Sequence, residues 1–171
     1  MNVKFLNPFV EAAFEVLKAE TGVIANRGDL SLEKTPFVTD DVTVILALVG
    51  AVEGAVFYCM GETTAKELVS RMLGEKMLEL DSLAQSGIAE LGNVITGRAS
   101  VKLSEAGFEA TISPPSLLVG KGALLSTLDS PRLIVPVVTE CGSVLIHLSL
   151  REGVNKQFKT SETPVASRPK I

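Results

Sequence analysis

Glu90 and Asn93 stand three residues apart in the stretch IAELGNVITGRAS, Ile88 to Ser100. On a helix, residues at i and i+3 are surface neighbours, so this carboxylate and this amide can reach one external point together. A carboxylate pairs with a cation, and an amide can accept from a water while donating to an oxygen. Such a pair suits the placing of a water beside a charged group. Ser86 precedes Glu90 by one turn. It has no base partner, because the single histidine, His147, falls in an alternating run opposite Val144, Ile146 and Leu148. A lone His there is expected to be structural or solvated, which argues against a Ser/His dyad. Gly120-x-Gly122 lacks the lysine pattern of a phosphate loop, and no cluster has metal-ligand spacing. Cys59 and Cys141 lie far apart in apolar runs and read as buried free thiols in a reducing cytoplasm.

The elements that must carry these residues follow from periodicity. Leu6, Phe9, Val10, Ala13, Phe14 and Leu17 recur at helical spacing, with Gly22 as the C-cap. VTVILALVG (42–50) and GAVFYCM (54–60) read as a hairpin, and TTAKELVSRMLG (63–74) as a second helix closed by Gly74. Ser82 and Gln85 have the form of a capping box opening a long helix that Gly107 ends. Its length is about 36 Å at 1.5 Å per residue. Beyond it come a short strand broken at Pro114-Pro115 and a second hairpin, RLIVPVVT (132–139) with GSVLIHLSL (142–150). Pro136 implies an edge or a bulge. Helix, irregular strand and hairpin occur twice at an offset of roughly 90 residues, the mark of a diverged duplication. Residues 153–171 are polar and weakly basic and read as a disordered tail after a 1–152 domain.

The 171 residues are 46% hydrophobic but only 5% aromatic, so one domain with an aliphatic core is expected. Net charge is -4 and the domain has no basic cluster, which argues against nucleic acid. The longest apolar run, Val42 to Val52, is too short to span a membrane, for which about 20 residues are needed. A cytoplasmic protein without membrane insertion is expected.

The long helix has two stripes. Ala84, Ile88, Leu91, Ile95 and Ala99 form the core side, with Gly92 on its flank permitting close approach to a sheet. Ser86, Glu90, Asn93 and Gly97 form the opposite side, and Leu83, Val94 and Val101 lie within about 40° of Glu90. Gly87 falls on this outer face too. Small and apolar residues here are unusual for a helix that meets only water, and mark a docking face. An E-x-x-N tetrapeptide by itself is commonplace on solvated helices.

The wider pattern is more specific. LAQSGIAELGNVITGRASVKLSEAG, followed by ISPPSLLVG, resembles the CheX branch of the CheC/CheX/FliY phosphatases of bacterial chemotaxis. Ser86, Glu90 and Asn93 match the family motif, and Gly97-Arg98 and Pro114-Pro115 match its surroundings. In the first helix Glu11 is followed at i+3 by Phe14, not Asn, so one active site per chain is expected, as in CheX. The resemblance implies an α+β fold, pseudo-duplicated and CheC-like, with long helices covering an antiparallel sheet and two chains joined as a homodimer through their sheets. It also implies hydrolysis of the aspartyl phosphate of a CheY-like response regulator, which brings its own Mg2+ and lysine. Glu90 and Asn93 would then be catalytic, with Asn93 orienting the water and Glu90 pairing with that lysine. Leu83, Ser86, Val94, Gly97 and Val101 would line the contact. Two alternatives stay open from sequence: a non-catalytic regulator-binding adaptor or flagellar switch module, and a structural dimer module.

Overall fold

A computed structural model describes residues 3–128 and 130–154. Three helices, α1 (Leu6–Thr21), α2 (Glu62–Leu73) and α3 (Ser82–Glu105), pack on one face of an antiparallel sheet. The first hairpin is β4 (Val42–Gly50) with β5 (Val52–Met60), and the second is β9 (Arg132–Thr139) with β10 (Gly142–Glu152). The hairpins join at the sheet centre, where β10 pairs with β5 from Leu145↔Cys59 to Glu152↔Val52. Short strands complete the edges: β1 (Asn26–Arg27) and β2 (Ser31–Glu33) pair with β9, and β6 (Ala110–Ile112) and β7 (Ser116–Val119) pair with β4.

The duplication is therefore real and exchanged. Strands preceding the first hairpin pair with the second hairpin, and strands preceding the second pair with the first. β3 (Phe37–Val38) and β8 (Leu124–Leu125), counterparts in the two halves, pair with each other. Of the three α-helices, only α2 has no counterpart. The break in the edge between β1 and β2 falls at Pro136, whose carbonyl accepts from Gly28 N–H at 2.8 Å. The proline is thus not on an edge strand but opposite an interrupted one.

Alternation along the strands separates two cores. Val42, Val44, Leu46, Leu48, Val56, Tyr58, Ile146 and Leu148 face the helices. On the second face, Phe37 on β3 packs over Phe57 and Cys59. His147 also lies there, and it is not solvated as one expectation had it: it is 4% exposed, its ring 4.4 Å from Phe37. Arg132 is fully buried beside it, donating to Thr35 O at 2.6 Å, 3.5 Å from Glu33, with its guanidinium carbon 4.4 Å from the Phe37 centroid. Covering by β3 hides this face, and sequence alternation alone could not show it. Cys59 and Cys141 are buried free thiols, as expected. Most of the presumed tail lies outside the described residues. Gly153 is not free of the domain, since its N–H donates to Ala51 O at 2.9 Å.

Burial, with the Arg132 charge second, pushes the His147 pKa down to about 4. An unfolded histidine titrates near 6.5. Between those values the unfolded chain binds the extra proton, so stability falls as pH drops through that window. The expected loss from pH 7 to pH 5 is about 2 kcal/mol. Urea denaturation at the two pH values checks it, and His147→Leu should remove most of that component.

Candidate active site

Helix α3 starts one residue earlier than the capping box implied. Asp81 is the N-cap, accepting from Ala84 N–H at 2.9 Å, while Gln85 reaches back to Leu80 O at 2.9 Å. Aspartate is at least as good a cap as serine, which explains the shift. The core stripe is as expected, with Ala84, Ile88, Leu91, Ile95 and Ala99 all buried. A Cβ on Gly92 would stand 2.8 Å from Val44 Cγ1 and 3.3 Å from Tyr58 Cδ2, so glycine is what lets the helix sit on β4 and β5.

The outer stripe carries the polar pair. Glu90 is exposed and Asn93 half-buried, and Asn93 Nδ2 donates to Glu90 Oε2 at 3.4 Å. The two tips therefore meet at one point outside the helix. Ser86 is exposed on the same side. At Gly97 a Cβ would meet only Ile112 Cδ1, at an unstrained 3.9 Å, so the position has room for a side chain. Ile112, on β6, borders the stripe; no local sequence signal links it to Gly97.

The other expected contact residues divide. Leu83 is 51% exposed and available. Val94 is half-buried, as Asn93 is, and also packs against the main core. Val101 is 51% exposed but sits about 12 Å along the axis from Asn93. It lines an open groove with Val49, Ala51, Glu109 and Val154 rather than the polar pair's surroundings. Gly87 also leaves the outer face, because a Cβ there would stand 2.8 Å from Val69 Cγ1 of α2. It is the point where α2 and α3 approach.

Ion pairs tie α3 to α1. Arg98 Nε is 3.0 Å from Glu15, and Lys102 Nζ is 2.8 Å from Glu15 and 3.2 Å from Glu11. Glu11, the acid of the first helix that lacks an asparagine partner, thus faces Lys102. The Lys102 hydrogen bond lowers the Glu15 pKa, and its two acids raise that of Lys102. These groups are exposed and contribute little stability. Among the described residues no three His, Cys, Asp or Glu side chains gather as a metal site.

A carboxylate and an amide touching on an accessible helix, with small residues around them, can enter a partner's pocket and orient a water there. Known proteins share this architecture. The chemotaxis phosphatase CheX family model matches residues 42–138. The CheY-P phosphatase CheX of Thermotoga maritima is 26% identical over 155 residues, covering 90% of this chain and 99% of that protein. A CheC-like superfamily protein from Shewanella sp. PV-4 superposes with a TM-score of 0.80 at 29% identity, over 88% of this chain and 99% of the other. The CheX–CheY–BeF3–Mg2+ complex of Borrelia burgdorferi contains a chain that superposes with a TM-score of 0.75 at 28% identity, over 88% and 100%. With the family model matching more than half of the chain, including the first hairpin and all of α3, the chain belongs to the CheX family of chemotaxis phosphatases.

Proposed function

We propose that this chain hydrolyses the aspartyl phosphate of a CheY-like response regulator, using Glu90 and Asn93 on α3. The observation that carries the site assignment is the 3.4 Å contact between those two side chains on the accessible face. An acyl phosphate is already reactive, so positioning supplies most of what is missing. Asn93 accepts a hydrogen from a water and directs the water oxygen at phosphorus, in line with the departing aspartate oxygen. The new O–P bond forms as the bond to the aspartate breaks, leaving a carboxylate and inorganic phosphate. Glu90 accepts from the regulator's active-site lysine and anchors the docked helix. Mg2+, present in the Borrelia burgdorferi CheX–CheY complex, comes with the regulator and neutralises phosphoryl charge.

Homodimer formation and a cytoplasmic location belong to the same proposal. β6 and β7 pair on one side only, with β4, which leaves an open sheet edge among the described residues. Buried free thiols suit a reducing compartment. No helix among the described residues is long and apolar enough to cross a membrane.

Multiple turnover tests the proposal: phosphate release from regulator in large excess, fed by a small-molecule phosphodonor. Release above the regulator's own rate, at chain concentrations far below the regulator's, is expected. An adaptor that only binds gives none. Glu90→Ala should weaken affinity for beryllofluoride-loaded regulator by about tenfold, as expected for a lost charge-assisted contact. It should also slow turnover. Titration calorimetry reads the first effect, and unchanged affinity would remove the lysine-pairing role.

A further inference from the structure

Tyr58, Thr96 and Gly92 form a buried chain between the sheet and α3. Tyr58 Oη lies 2.7 Å from Thr96 Oγ1, and Thr96 Oγ1 donates to Gly92 O at 2.8 Å. Threonine has one hydroxyl proton, so Tyr58 is the donor to Thr96. Tyr58 is 1% exposed and Thr96 is fully buried. Burial pushes the phenol pKa up, which keeps it a donor.

The chain sits beside the polar pair: Gly92 adjoins Asn93, and Thr96 follows it by three residues. The Tyr58–Thr96 bond is the directional tie between α3 and the sheet at the level of Asn93; the other side-chain bond to a strand, Ser100 Oγ to Ala110 O at 2.9 Å, lies two turns further along the helix. Apolar packing is non-directional, and the pairs of Arg98 and Lys102 with α1 are exposed. A rotation of about 10° carries a side-chain tip, about 5–6 Å from the axis, through roughly 1 Å. Displacement on that scale can cost about 10²-fold in rate.

We infer that Tyr58 and Thr96 are positioning residues for the reaction: their buried hydrogen bond sets the rotation of α3 that aims the Asn93 amide at the phosphoryl group. The inference rests on the phosphatase function proposed above. It concerns the chemical step, since docking spreads over Leu83, Ser86 and Gly97 and tolerates a small rotation.

The test is single-turnover dephosphorylation at increasing chain concentration for Tyr58→Phe, Thr96→Val and Thr96→Ser, each checked for folding by thermal denaturation. Tyr58→Phe and Thr96→Val should lower the saturating rate about tenfold while the half-saturating concentration stays within about twofold. Thr96→Ser keeps the hydroxyl and should stay within about twofold of wild type. The Tyr58→Phe/Thr96→Val pair should fall no further than either alone, because both break one chain. A wild-type saturating rate in Tyr58→Phe, or Thr96→Ser as slow as Thr96→Val, overturns the inference. If Tyr58→Phe does not fold, the Thr96 pair decides. A wild-type chain without turnover instead removes the phosphatase function itself, a different and recognisable outcome.

Discussion

Asn93→Ala should lower the single-turnover rate by about 10²–10³-fold and leave fold and regulator affinity near wild type. Three observations lead to that expectation. Asn93 lies opposite Ile88, Leu91 and Ile95, so its loss opens no core cavity, and a change at such a position shifts stability by about 0.5 kcal/mol or less. Its side-chain hydrogen bond is to Glu90, on the exposed face, and no buried partner is stranded by its removal. The water-orienting role proposed for it acts only in the transition state, so the deficit should fall on turnover rather than affinity. Stopped-flow decay of phosphoregulator gives the rate, and titration with the beryllofluoride form gives the affinity. Normal turnover would remove the catalytic assignment. Lost binding with an intact chemical step would make Asn93 a docking residue.

Gly97→Lys should abolish productive docking, weakening regulator affinity by about 100-fold or more. In the proposed docking a partner comes close over Gly97, where a Cβ has room and would meet only Ile112 Cδ1, at 3.9 Å. The substitution therefore leaves the fold intact while placing a long cation at the contact. That cation faces the lysine and Mg2+ proposed for the regulator's site, and like charges there cost several kcal/mol. Ser86→Ala, on the same stripe, adds no bulk or charge and should change affinity by about twofold or less, as peripheral truncations do. Equal behaviour of the two variants in titration calorimetry would contradict the small-residue account.

Local periodicity made much of this architecture legible. Both hairpins, the C-cap glycines Gly22 and Gly74, and the opposed stripes of α3 depend on residues near in sequence. The failures share one cause, which is neighbours distant in sequence. Gly87 packs on Val69 of α2, and His147 lies under Phe37 of β3. Pro136 sits opposite a gap supplied by residues more than 100 positions earlier. None of these contacts leaves a period in the chain. The polar pair was visible because both members share one helix. Tyr58 and Thr96 were not, because a tyrosine in an apolar strand carries no mark of the helix it will meet.

In the proposed function α3 catalyses and does not merely bind. The most direct measurement is loss of labelled phosphate from a phosphorylated CheY-like regulator with this chain in excess, beside the same regulator alone and with Asn93→Ala. Rapid loss is expected with the wild-type chain, and loss near the regulator's own rate with Asn93→Ala, although both chains bind. Phosphate retained at the intrinsic rate in the presence of bound wild-type chain would contradict the proposed function.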